Sequence, residues 1–317
     1  MAYIPSTNKI QYAQETAYHD ATADDIEPVG ITNFRLDPRV EVLQINDMQA
    51  DTFVHEAIVK RRWSEGVIEG FMDYDRFWIY LDGFFGYKAA VGDVRTYLGS
   101  NDWIGEVPKS LAIRYGQTGL LYGCYGVIPY SLGLVFADND PLKYAYNFFG
   151  GAIVDGATFQ AVAVDTPTWA MFHETELWID AGIGATHGTT PIADIAFKAE
   201  VNLSCNRRPL WHLGDQVWDS IISGKWVGTM KLVLEADATN LAQLGDIIDA
   251  TGTPQYFAVR LRTTDASNIF DLDFAGLAQE APTIITDLEG VVTIELNLVL
   301  HYNTTLLSCI QAEITIP

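Results

Sequence analysis

The sequence predicts a mainly β chain, built as two tandem β-sandwich or barrel domains, each with one flanking α-helix. Three observations predict it. Long stretches alternate apolar and polar residues with period two. Two stretches, one in each half, switch to helical spacing. The order of elements in the first half returns in the second. The 317 residues are 49% hydrophobic and 19% charged, enough apolar material for a large core.

Taken in order, residues 1–28 lack periodicity and read as an extended arm or loop, with a polar run from Thr16 to Asp25. Strands follow at Val40–Leu43 and from Trp63. Phe77, Trp78, Leu81, Phe84 and Phe85 recur at helical spacing, with Asp73 or Asp75 as N-cap and Gly86 as the stop. Leu111–Tyr115 and Phe257–Leu261 are short runs of β-formers. Leu241, Leu244, Ile247 and Ile248 form the second helical stripe, opened by Asp237 or Thr239 and closed by Gly252. Phe270, Leu272 and Phe274 alternate with Asp271 and Asp273. Ile294, Leu296, Leu298, Leu300 and Tyr302 alternate with polar neighbours over ten residues, the pattern of a half-buried strand. Each helix needs a sheet to cover its apolar face, hence a sheet and a helix in each half.

The repeat shows in the offsets. Val42 and Leu203 are 161 residues apart (203 − 42), and Asp73 and Asp237 are 164 apart (237 − 73). Arg114 to Arg260 is only 146 (260 − 114), and Gly126 to Gly276 is 150 (276 − 126). The drop places an insertion of 18 residues (164 − 146) in the first half, within the Gly-, Asp- and Tyr-rich stretch 87–108. The expected division is a first domain over 1–152, with an N-terminal arm and loop 87–108. A connection and the start of the second repeat follow over 153–190, and a second domain over 191–317.

Charge narrows the partners. With 19 Lys+Arg against 41 Asp+Glu the net charge is −22. Such a chain is not drawn to a nucleic-acid backbone, although it can surround one without gripping it. Solubility of an abundant protein and a high-salt habitat are equally open causes of the acidity. Cys124, Cys205 and Cys309 are far apart and odd in number, which argues against a disulfide framework or a zinc site. No run approaches the ~18 apolar residues of a membrane span, and the N-terminus lacks a signal-peptide pattern. These features place synthesis and folding in a cytoplasm. No G-x-S-x-G, P-loop or dinucleotide motif occurs, and the six histidines are scattered, with His173-Glu174 lacking the second histidine of H-E-x-x-H. No catalytic, cofactor or metal residues are expected.

Residues 63–86, Trp-Ser-Glu-Gly-Val-Ile-Glu-Gly-Phe-Met-Asp-Tyr-Asp-Arg-Phe-Trp-Ile-Tyr-Leu-Asp-Gly-Phe-Phe-Gly, carry a Gly-rich polar strand, an acidic cap and a helix with a Gly stop. Together with Ser110–Gly116 and the segment from Gly126 to Leu134, they resemble the tail tube proteins of long-tailed bacteriophages and viruses. The second half, from Ile192 to Tyr302, looks like a degenerate copy. The resemblance implies a non-enzymatic virion protein whose rings stack into a tube around a DNA channel. With two domains per chain, three chains would close a ring of pseudo-sixfold symmetry. Implied partners are further copies of the chain, the terminator, tape measure and distal tail proteins, and DNA that passes without specific binding. A carboxylate-lined bore would suit that passage. Glu65, Glu69, Glu235, Asp271, Asp273 and Glu295, on polar faces of the expected strands, are the candidates for it; an ordinary solvated outer face is the alternative. Two further readings stay open: a β-sandwich that binds or hydrolyses carbohydrate, and another tail ring component such as a terminator or baseplate protein.

Overall fold

The computed structural model describes residues 9–16, 30–45, 56–86, 89–99, 108–117, 119–137, 140–161, 166–192, 196–212, 214–236, 255–278, 280, 283–288 and 291–315. Its strands are β1 (Lys9–Gln14), β2 (Ile31–Ile45), β3 (Glu56–Phe71), β4 (Ala89–Val91), β5 (Val94–Leu98), β6 (Leu111–Gln117), β7 (Leu120–Ala137), β8 (Lys143–Gly150), β9 (Ile153–Asp155) and β10 (Thr175–Ala181). They continue as β11 (Pro191–Ile192), β12 (Ala196–Ser204), β13 (Arg208–Leu210), β14 (Ser220–Ile222), β15 (Val227–Glu235), β16 (Gln255–Asp265), β17 (Asn268–Ala278), β18 (Thr283–Leu288), β19 (Val291–Leu300) and β20 (Ile310–Thr315). The helix α1 (Phe77–Phe85) lies between β3 and β4.

Hydrogen bonds join eighteen of these strands into one sheet; β13 and β14 pair apart from it. A front layer runs β2–β3–β8–β7–β12–β15–β19–β18. Behind it, β1–β6–β7–β9 and β10–β16–β17–β20 form the back. β7 belongs to both: its first half pairs with β6, and its second half with β8 and β12. β17 and β18 do the same jointly, since both lie along β19. The pairing order of β2, β3, β8 and β7 is repeated by β12, β15, β19 and β18.

This arrangement corrects the expectation of two tandem sandwich or barrel domains, each with its own helix. β7 and β12 pair over residues 131–137 and 198–204, so the two four-strand sets share one continuous sheet. An open strand edge exposes unpaired N–H and C=O groups; here each set satisfies the other's. A single core cluster draws residues from β1 to β20. Among the described residues α1 is the one α-helix; the second helical stripe, with its Asp237, Thr239 and Gly252 boundaries, lies outside the described residues.

Two loop expectations are also revised. Residues 9–14 of the supposed arm are β1, with Tyr12 and Ala13 buried against β6. Residues 89–98 of the supposed insertion loop form the β4–β5 hairpin, and β5 pairs with β20. Neither has the length or clean alternation that marks a strand in sequence. Their partners lie far along the chain.

α1 is deeply buried: Phe77, Ile79, Tyr80, Leu81, Phe84 and Phe85 all lie in the core. Gly86 ends it at φ 75°, a conformation that favours glycine. Its N-terminus departs from expectation. Asp73 instead accepts the Asp75 N–H at 3.1 Å and pairs with Arg76 at 2.9 Å, so it organises the turn before the helix. At the other end Arg207, just past β12, donates to the carbonyls of Gly83 (2.8 Å), Phe84 (2.5 Å) and Pro129 (3.3 Å). Tyr12, Tyr80, Tyr144 and Tyr146 pack ring to ring at 5.0–5.5 Å within this core. Tyr144 and Tyr146 are therefore core residues of the protomer.

Candidate functional site

The front layer carries the largest continuous array of functional side chains. Residues directly opposite one another in an antiparallel pair share a face, so rows can be followed across it. One row reads Val67, Asn147, Ser131, Ser204, Val227; the next reads Glu69, Ala145, Gly133, Asn202, Thr229, Val299. Beyond them lie Lys143, Val135, Glu200, Lys231, Asn297, and then Ala137, Lys198, Val233, Glu295. The interleaved residues Ile68, Tyr146, Leu134, Val201, Leu232 and Leu296 point into the core. The rows therefore face outward, although Ala137 and Val233 in the last are covered.

The middle of this face, at the β7–β12 seam, is uncharged. Ser131, Gly133, Asn147, Asn202, Ser204 and Thr229 line a shallow groove of about 420 Å³. On either side, charges occur in pairs. Arg39 Nε lies 3.1 Å from Glu65, Lys198 Nζ 2.6 Å from Glu200, and Lys231 Nζ 2.8 Å from Glu295; Arg35 pairs with Asp37. The Lys231 ammonium and the Asn297 amide hold the Glu295 carboxyl below the usual carboxylate range. No family model and no curated protein matches this chain. The reading of the face therefore rests on its own chemistry.

The six carboxylates singled out in the sequence fall into two groups. Glu65 and Glu69 on β3, Glu235 at the end of β15 and Glu295 on β19 lie on the front layer. Glu65 also accepts Trp63 Nε1 at 3.1 Å, and Glu69 accepts Asn33 Nδ2 at 3.0 Å. Asp271 and Asp273 lie on β17 in the back layer and are buried. Each accepts a two-pronged guanidinium from the neighbouring strand: Arg262 to Asp271 at 2.6 and 2.5 Å, Arg260 to Asp273 at 2.6 and 2.7 Å. Their alternation with Phe270, Leu272 and Phe274 resembled that of a half-exposed strand, but β17 is covered on both sides. Glu200 and the basic partners were missed: Lys198 and Glu200 share a face of β12 at the period-two spacing of a strand, whereas a lone Lys231 carries no sequence signal for Glu295 across the sheet.

His187, in the turn between β10 and β11, is buried, and its Nε2 has no hydrogen-bond partner. Burial lowers its pKa below the ordinary value of ~6.5. The sign follows from linkage: the unfolded chain binds the proton more readily, so stability is fully present above ~6.5 and is lost as pH falls through the folded value. The urea midpoint is expected to fall between about pH 7 and 5, and His187→Gln should flatten that slope. An unchanged slope in the variant would assign the acid sensitivity to other groups.

Among the described residues one set of three metal-capable side chains converges: His212, Asp215 and Asp219, between β13 and β14, with donor atoms within 4.8 Å of one another. All three are exposed. His212 Nδ1 lies 2.6 Å from Asp219, a hydrogen bond that raises the histidine pKa and lowers that of the aspartate. Their spacing follows no known motif, and in sequence His212 reads as scattered. Cys124 and Cys205 are buried, and burial pushes the Cys124 thiol up to about 12, far from the range of a reactive thiolate. Among the described residues no helix is long and apolar enough to cross a membrane.

Proposed function

We propose that this chain is a structural subunit of a viral tail tube. In this reading its front layer closes into a ring with other copies and faces the DNA channel. The observation that carries the reading is the β7–β12 seam. It already joins one four-strand set to the next, edge to edge, within a single chain. The same order leaves β2 at one end of the front layer and β18 at the other. Among the described residues each is paired on one side only. If β18 of one copy receives β2 of the next as β7 receives β12, the contact is head to tail. A head-to-tail contact generates rings or filaments. Six four-strand sets then need three copies.

The long β2–β3 hairpin supports assembly as well. Val40, Val42, Leu43 and Ile58 stand exposed along it on its two faces, apolar surface that a neighbouring copy would cover. Its root is braced by the β13–β14 loop: Arg62 N–H donates to the Gln216 carbonyl at 2.8 Å, and Gln216 Nε2 donates to the Val59 carbonyl at 3.2 Å.

Within this reading, Glu65, Glu69, Glu235 and Glu295 are the bore carboxylates. The partners are further copies of the chain and the tail components that cap and template the tube. The site of action is the virion tail. Negative-stain microscopy of the purified protein tests the reading: hollow rings or tubes with three subunits per turn of the ring are expected. Persistent monomers at high concentration would refute it.

A further inference from the structure

The front face differs in charge from the chain that carries it. Among the described residues, and leaving aside the Glu41, Lys60 and Arg61 cluster farther out on the hairpin, its outward rows and the adjoining part of β2 hold five basic residues (Arg35, Arg39, Lys143, Lys198, Lys231). They hold six acidic ones (Asp37, Glu65, Glu69, Glu200, Glu235, Glu295). The face is thus near −1 (5 − 6), while the whole chain is −22. The acidity that marks the sequence lies elsewhere. The charges are also ordered: Glu200 stands directly opposite Lys231, and each of Arg39, Lys198 and Lys231 touches a glutamate within 3.1 Å. Ion pairs this exposed stabilise a fold by only ~0–1 kcal/mol each. Stability is therefore a weak reason for three of them on one face.

We infer that Glu65, Glu200 and Glu295 act as charge masks, cancelling Arg39, Lys198 and Lys231 so that a polyanion sliding over the front face meets a charge-silent surface. The inference rests on the reading of this face as the DNA-facing one. It replaces a net repulsive bore by a compensated one. At physiological salt the field of a charge fades within about 8 Å, so a phosphate close to the face senses the nearest pairs and not the distant acidic surface. A lysine without its glutamate offers the phosphate a counterion-releasing contact, whereas a paired one does not. The uncharged serines, asparagines and threonine of the seam groove extend the same quality across the centre of the face.

The test is binding of a fluorescent duplex of about 30 base pairs by the full chain at about 50 to 200 mM salt. The native protein should show no binding. The triple variant Glu65→Gln, Glu200→Gln, Glu295→Gln should bind. Three unmasked cations predict a slope of about −2.7 in log K against log salt, roughly a 40-fold loss of affinity over that range. Adding Arg39→Gln, Lys198→Gln and Lys231→Gln should abolish binding again, which separates unmasking from misfolding. A folded triple variant that binds no more DNA than the native chain overturns the inference. Microscopy of the same samples tells the two readings apart. Rings without a gain in binding sink the masking role alone; a gain in binding without rings leaves the masking standing and removes the tube.

Discussion

Replacing Arg207 with alanine is expected to cost about 3–5 kcal/mol. α1 has nine residues, no side-chain N-cap and no basic residue in its last turn. The last carbonyls of a helix carry a partial negative charge and need donors. Arg207 supplies both donor and charge from the segment just past β12, reaching the carbonyls of Gly83 and Phe84 while also holding Pro129 on β7. Truncation leaves three buried carbonyls short of a partner, each worth ~1–3 kcal/mol, and water can recover part of that. Arg207→Lys keeps the charge but cannot fork to all three, so an intermediate loss is expected. Urea unfolding followed by tryptophan fluorescence reads the difference. A loss below about 1 kcal/mol for the alanine variant would show that the helix end is held by packing alone.

Leu36→Pro is expected to abolish assembly while leaving a folded protomer. Pro38 sits on β2 opposite Ser64, in a stretch without register shifts from Asn33 to Glu41. Proline has no N–H to give, and in a strand it belongs where that position faces the open edge. Alternate residues point their N–H groups to the same side, so Leu36 also directs its N–H away from β3. A proline there removes no bond inside the protomer. It does remove a donor that the neighbouring copy would use and puts a ring in its path. The partly buried leucine side chain makes this variant ~1–2 kcal/mol less stable, well short of unfolding. On the proposed ring contact, analytical ultracentrifugation should show monomers for the variant and rings for the native chain. Normal rings from a folded Leu36→Pro protein would place the subunit contact on another edge.

Much of the local structure was legible. Period-two alternation located β19, and Ile294, Leu296 and Leu298 are buried as that pattern requires. The short runs Leu111–Tyr115 and Phe257–Leu261 lie in β6 and β16. The 3.6-residue spacing of Phe77, Leu81, Phe84 and Phe85, with Gly86 behind them, located α1. These readings succeed because side-chain direction repeats along a strand or helix regardless of what surrounds it.

The remainder needed the third dimension. Alternation says that Asp271 and Asp273 share a face; it does not say that Arg262 and Arg260 on the next strand cover that face and bury both carboxylates. It likewise cannot say that β7 lies beside β12, a pairing that joins the two four-strand sets into a single sheet. By itself the sequence determined the type of the long periodic elements and one greasy face of each, because those depend on backbone geometry and nearest neighbours. Which edges meet, which charges pair across strands and what caps the helix were decided only by tertiary structure. The β7–β12 seam and the Arg207 cap join residues more than sixty positions apart, and their energies exist only once the chain has brought them within a few ångströms.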